Sequence, residues 1–534
     1  MRYRARTKWH LIALILVLTI GLVACTKVDD PGPNQAQGPD EPTAGGTITV
    51  RLNGDVSGLN PFGKTEGNTY QLWAFMAESL VRHTPDNKWT GQLAETWDIS
   101  PDGKEYTFNL RKDVKWHDGE PFTADDVIFS YELHWDDEVS EEAKYTWMVD
   151  DEPITMEKVD AHTVKMILPK PFPAILEEVK WFIPGPKHIL ENVPRNEIPT
   201  CEWGNNPVFT GPFKFVEYKP GEYVKMERFD DYWGGTPYLD AVYFRVLADE
   251  NAAAVALESG QLDWTRITPA VYDRLKDSSI PTIQSESGRI ILVQIGEEGP
   301  NPHIFEDLKV RKALSHLIDR ENISETVMGG LVKPAYNVMT PSDMYYTEDI
   351  VKYGYDVDKA IVLLEEAGWT LDSSDIRTKD GKPFEVELIY QSGDSLLDQS
   401  VLLVQNAFQK AGIKLNLRAL ERTALIQRLI ADDYDLIING NLMGPDPHRY
   451  IWIYGERTPE LEELFAKGRS EVDTGKRAEI YKEIQNTISE LVCNIPLYYP
   501  DTLYAHNPKL HVEDAEVHGG VYHFYNTSKI WIEK

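Results

Sequence analysis

Few side chains in this sequence stand where reaction chemistry would need them. His117-Asp118 could act as an acid/base pair or as two ligands of a metal, and Asp446-Pro447-His448 offers a second such pair. A metal centre needs three or four ligands at recurring spacings, and no further histidine is placed to complete either group. A lone His-Asp step followed by Gly119 reads as a turn. The cysteines are Cys25, Cys201 and Cys493. They form no CxxC or Cys/His zinc spacing, and the chain has no GxGxxG or P-loop pattern. There is no GxSxG and no HExxH. Paired carboxylates abound in so acidic a chain and decide nothing. These residues give no expectation of an enzyme, a cofactor or a resident metal.

The elements that must position a site are clearer than the site. Ile48, Val50 and Leu52 alternate with Thr47, Thr49 and Arg51, the period of a strand with one buried face, and Tyr106, Phe108 and Leu110 repeat the pattern. Thr123 with Asp126 three residues on, ahead of Val127, Ile128 and Phe129, is a capping-box start for a helix. Apolar residues at 310, 313, 314, 317 and 318 lie on one helical face. From 384 to 440 strand and helix alternate as Phe384–Tyr390, Leu396–Ala411, Ile413–Leu420, Arg422–Ala431 and Tyr434–Ile438. Such alternation predicts an α/β domain with a largely parallel sheet.

The N-terminus carries Arg2, Arg4, Arg6 and Lys8 and then an apolar run from Leu11 to Val23. A bilayer span needs about 20 residues, so the run suits a signal peptide. It ends in Leu22-Val23-Ala24-Cys25, which resembles a bacterial lipobox. That resemblance implies removal of residues 1–24 and diacylation of Cys25, and two acyl chains give durable anchoring where one holds marginally. Residues 25–46, rich in Pro, Gly, Gln and Asp, are expected to be a flexible tether. Formal charge is −32 for 534 residues, and removing four positive and no negative side chains with residues 1–24 leaves about −36. Such a surface repels nucleic acid and anionic lipid. Cys201 and Cys493 could pair or remain buried thiols.

A longer ordered string then defines the class. It runs through Glu78-Ser79-Leu80, Leu93-Ala94-Glu95, Trp97, Asp102-Gly103, Phe108, Leu110-Arg111, Val114-Lys115-Trp116 and Asp118-Gly119 to Phe122-Thr123-Ala124-Asp125-Asp126-Val127. It resembles the signature of the family-5 extracellular solute-binding proteins, the capture subunits of ABC importers for peptides, nickel complexes and some oligosaccharides. Leu59-Asn60-Pro61, Thr210-Gly211-Pro212-Phe213 and Gly260-Gln261-Leu262-Asp263 extend the likeness over nearly the whole chain after Thr47.

The resemblance implies a two-lobed periplasmic-binding-protein fold (class II, cluster C). Lobe 1 is expected from residues 47–85, 208–305 and 505–534, an inserted accessory domain from 86–207, and an α/β lobe 2 from 306–504. A hinge closes the lobes on a ligand, and the closed form meets ABC permease subunits; a monomer is the family expectation. In peptide-binding members a loop aspartate pairs with the peptide's amine and a second Asp-Pro follows. Asp446-Pro447 matches that second element, which places Met443 where the amine-binding aspartate would stand. Asn439, Asn441, Met443 and Asp446 are therefore the candidate ligand-binding loop, with Trp452, Trp73 and Trp181 as candidate aromatic platforms. Either Asp446 captures the amine, or the ligand has none. A peptide is the leading expectation, an oligosaccharide or other neutral solute the alternative, and a nickel chelate or a signalling receptor further readings.

Overall fold

The computed structural model describes residues 41–65, 67–86, 88–442, 444–450, 458–512 and 524–534. The expected signal peptide, residues 1–24, and Cys25 lie outside them. The end of the expected tether is already docked: Thr43 Oγ1 donates to Ile532 O at 3.0 Å and Gly45 N to Tyr238 O at 2.7 Å. Gly45 and Gly46 make that approach with φ of +97°, a conformation open to glycine. The ordered body is therefore already in place at Thr43, before position 46.

The strand Thr47–Leu52 buries Ile48, Val50 and Leu52 completely. It pairs parallel with Ala241–Val246, from Thr47↔Ala241 to Leu52↔Val246, and at Val50↔Trp264 with the strand Trp264–Arg266, also in parallel. Strands covered on both faces need continuous apolar cores. Here Leu72, Phe75 and Met76 of the helix Gly67–Met76 supply one side, packed with Phe213 and Phe244.

A separate four-stranded antiparallel sheet is built from Ala94–Ile99, Glu105–Leu110, Thr163–Ile167 and Thr155–Asp160. It has its own core around Trp116, Phe122 and Trp147, into which Tyr106, Phe108 and Leu110 project. The capping box forms as the sequence predicts. Thr123 N donates to Asp126 Oδ2 at 2.9 Å, and Asp125 N donates to Thr123 Oγ1 at 3.2 Å, opening the helix Ala124–His134.

The α/β alternation is found in the second lobe as Glu385–Gln391, Ser395–Lys410, Lys414–Leu420, Arg422–Ile430 and Leu436–Leu442. Glu385–Gln391 is parallel to both Lys414–Leu420 and Leu436–Leu442. Val401, Val404 and Phe408 of the first of these helices and Val310, Ala313 and Leu314 of the helix Leu308–His316 close over the sheet.

The lobes share two long strands. Asn494–His506 pairs with Arg289–Ile295 near its start and with Thr282–Glu286 and Trp264–Arg266 near its end. The second crossing runs from Thr282–Glu286 through Ser287-Gly288 into Arg289–Ile295, with Gly288 at φ +62°. The sequence reading gave residues 289–305 to the first lobe, and this is corrected. Arg289–Ile295 pairs residue for residue with Leu436–Leu442 of the second lobe, so the crossing comes at Ser287-Gly288. Cys201 packs beside the first-lobe core and Cys493 inside a second-lobe core, and the two are not joined.

Candidate functional site

Strand direction defines the cleft. Relative to Asn494–His506, which runs from the second lobe into the first, Trp264–Arg266 is antiparallel, and Thr47–Leu52 and Ala241–Val246 run with it. Their carboxyl ends point back toward the second lobe. Arg289–Ile295 also runs against the hinge strand, and Leu436–Leu442 runs against Arg289–Ile295. The second lobe's parallel strands therefore present their carboxyl ends toward the first. Ligands of open α/β sheets bind outside such ends, and here two sets face each other across one hinge.

Asn439 and Asn441 lie on the last turns of the pleat leading to this edge, opposite Leu292 and Ile290. Asn439 Nδ2 donates to Gln294 Oε1 at 3.1 Å and to Asn441 Oδ1 at 3.3 Å, while its own Oδ1 accepts from Gly440 N at 2.9 Å. The Nδ2 of Asn441 is buried and has no partner among the described residues. Met443 and Trp452 lie outside the described residues.

Asp446 does not stand open to a ligand, which corrects its reading as the amine partner. It is 4% exposed, and its Oδ2 and Oδ1 accept from Arg477 Nη1 at 2.5 Å and Nη2 at 2.9 Å. Arg477 comes from the helix Thr474–Leu491, donates Nε to Gly468 O at 2.7 Å, and lies over the rings of Tyr345 and Tyr481. Burial alone would raise the carboxyl's pKa, but His448 and Arg477 outweigh it and hold Asp446 well below the usual carboxylate range. The acid is committed to second-lobe structure.

Trp73 is likewise corrected. It is 4% exposed, in the first-lobe core, with Nε1 donating to Leu59 O at 3.0 Å. A buried indole needs such a partner and has no face left for a ligand. Trp181 is half-buried, edge-on to Tyr70 at 5.3 Å, and Tyr70 in turn meets Trp73.

The sequence reading missed the group that joins the accessory domain to the second lobe. The short helix Ile175–Val179 carries Glu177 and Glu178, and these face residues 444–450. Arg449 Nη2 donates to both oxygens of Glu178, at 2.5 and 2.7 Å. His448 Nε2 is 3.5 Å from Glu178 Oε1 and its Nδ1 is 3.4 Å from Asp446 Oδ1. Burial would lower the pKa of His448, yet the two carboxylates raise it above its ordinary 6.5. Phe172 packs edge-on to the same ring at 5.3 Å. Glu177 is 2% exposed; its Oε1 meets His83 Nε2 at 2.5 Å and its Oε2 meets Lys180 Nζ at 2.7 Å. A Cβ on Gly444 would lie 2.8 Å from Glu177 Oε2, so glycine permits the approach. The only trace of this in sequence is the acidic pair within an apolar run, Ala174 to Val179. Among the described residues no group of three or more His, Cys, Asp or Glu is placed to hold a metal ion.

This arrangement of facing strand ends, crossing strands and an inserted antiparallel domain belongs to the two-lobed class II binding proteins. Residues 88–460 match the bacterial extracellular solute-binding proteins, family 5 (middle). The chain belongs to that family. It is 28% identical to the oligopeptide-binding protein AppA of Bacillus subtilis, over 99% of this chain and 100% of the relative. It is 32% identical to a putative ABC transporter peptide-binding protein of Brucella ovis, over 76% of this chain and 75% of that one. The crystal structure of the ABC transporter substrate binding protein CtaP from Listeria monocytogenes superimposes with a TM-score of 0.83 at 31% identity, covering 92% of this chain and all of that one.

Proposed function

We propose that this chain is the substrate-binding protein of an ABC importer, held outside the cell by a diacylated Cys25, and that it captures a peptide by closing its hinge and delivers it to the permease. The observation that carries the reading is the pair of facing strand-end edges on two crossing strands, beside which Glu178 of the inserted domain pairs with Arg449 of the second lobe. A ligand seated between them links the lobes, and its binding energy shifts the open–closed population. The peptide assignment draws support from relatives described as oligopeptide- and peptide-binding. With Asp446 spent on Arg477, and methionine at the position where family peptide binders carry the amine-binding acid, the main chain and the Asn439–Asn441 edge carry recognition instead. That same neutrality favours a second reading, an oligosaccharide or other neutral solute.

Native mass spectrometry of the purified protein, followed by denaturing release, separates the two. A ladder of peptide masses supports peptide capture, and hexose-spaced masses overturn it. Cys25→Ala should move the protein from the membrane fraction to the soluble one; retention would remove the lipid anchor from the reading.

A further inference from the structure

Three arginines stand on the facing edges with no partner among the described residues. Arg266 ends the first-lobe strand Trp264–Arg266; Arg289 opens the second-lobe strand directly after the hinge, opposite Leu442; Arg422 follows Lys414–Leu420 as the first residue of Arg422–Ile430. All three are exposed, and among the described residues none of their guanidinium groups makes an ion pair or a hydrogen bond. Arg51, at the end of its own strand in the first lobe, shows what a structural arginine does there. It is 5% exposed and donates to Leu247 O, Ala248 O and Arg266 O.

The chain has no shortage of acids to neutralise the three. Acids near these strand ends are engaged elsewhere: Asp394 caps Leu396 N and Leu397 N, Glu421 caps Thr423 N, Asp249 caps Ala252 N, and Glu286 pairs with Lys333. Loss of hydration lowers the pKa of Arg289, and Arg266 and Arg422 lower it further, so the three charges feel one another across the hinge. Like charges gathered from two lobes oppose closure unless an anion enters between them.

We propose that Arg266, Arg289 and Arg422 form an anion subsite of the cleft, and that the ligand carries clustered carboxylates at one end, as a peptide with an acidic C-terminus does. The proposal rests on the peptide-capture reading and narrows it. A single C-terminal carboxylate balances one of the three guanidinium groups, whereas two terminal acidic residues and the chain end balance all three. Planar guanidinium forks suit carboxylates bidentately.

Isothermal titration of the full chain with the tetrapeptides AAEE and AAQQ, and with tricarballylate as an amine-free probe, tests it. We expect AAEE to bind about thirtyfold or more tighter than AAQQ, the scale of one desolvated charge pair. Arg289→Gln and Arg422→Gln should each erase most of that preference, with unliganded melting temperatures unchanged. Equal binding of AAEE and AAQQ overturns the subsite and leaves peptide capture standing. Tricarballylate binding that depends on the three arginines, with neither peptide bound, keeps the subsite and overturns peptide capture. No binding of any probe overturns both.

Discussion

Glu178 and Arg449 are 271 residues apart in sequence, yet one Arg449 nitrogen donates to both oxygens of Glu178, at 2.5 and 2.7 Å. One residue belongs to the inserted domain and the other to the second lobe, so the contact exists only while those bodies are together. Its free energy therefore acts on closure and not on the folding of either part. A ligand that also bridges the lobes adds to the same equilibrium.

Arg449→Ala should accordingly weaken ligand binding without lowering thermal stability. The arginine side chain is about one-third exposed, so the effect is that of a half-solvated pair, about 1 kcal/mol or about fivefold in Kd. Small-angle scattering should show a larger mean radius for the unliganded variant. An unchanged Kd and radius would mean that the pair forms without influencing closure.

His448 makes the same contact pH-dependent. Its pKa is raised above 6.5 because Asp446 and Glu178 outweigh burial, so its favourable contribution is fully present below 6.5 and is lost as pH rises through the folded-state value. The groups facing the ring are Asp446 on its own loop, Glu178 and the Phe172 edge from the inserted domain, and Arg449 beside it in sequence. Ligand affinity should therefore fall as pH rises above 6.5, and His448→Gln should flatten that profile. Binding that tightens with rising pH in the wild type would contradict the arrangement.

What the sequence revealed, and what it hid, follows from distance along the chain. The capping pair Thr123 and Asp126 and the alternation of Tyr106, Phe108 and Leu110 are local patterns, and they were readable to within a residue or two. The strands and helices from 384 to 431 were equally readable, because periodicity is a short-range signal, but the last strand runs on to Leu442 and takes in Asn439 and Asn441, which were expected in a loop. Asp446 was read as a candidate ligand contact, and nothing nearby in sequence names Arg477, the partner that holds it in the structure. Trp73 fails for a related reason: a tryptophan that stacks on a ligand and one that caps Leu59 O look alike in sequence. The crossing at Ser287-Gly288 was missed because the residues on both sides read simply as strand, and only the register Arg289↔Leu442 shows which lobe owns them.

Gly444 offers a steric test of closure. A methyl group there meets Glu177 Oε2 at 2.8 Å, and that oxygen is held by Lys180 and cannot swing away cheaply. Gly444→Ala should cost about 1–3 kcal/mol in the closed form alone, a loss of about fivefold or more in affinity. The melting temperature of the unliganded protein should stay near that of the wild type. A fall in melting temperature with no change in affinity would show that residue 444 supports the second lobe and does not gate the approach of the inserted domain.

Asp446 and Arg477 give the sharpest separation of structure from recognition. Both are buried, with side chains 5% and 3% exposed, and each satisfies the other with two hydrogen bonds. Removing one member of such a pair leaves the other charge without a partner, a penalty of about 3–5 kcal/mol. Asp446→Ala should lose about that much in urea unfolding. Replacing both, as in Asp446→Leu with Arg477→Met, should recover a large part of it, because neither charge of the pair is then left without the other. If the single variant instead keeps full stability and loses ligand, Asp446 is a recognition residue and its pairing with Arg477 must open when the ligand enters.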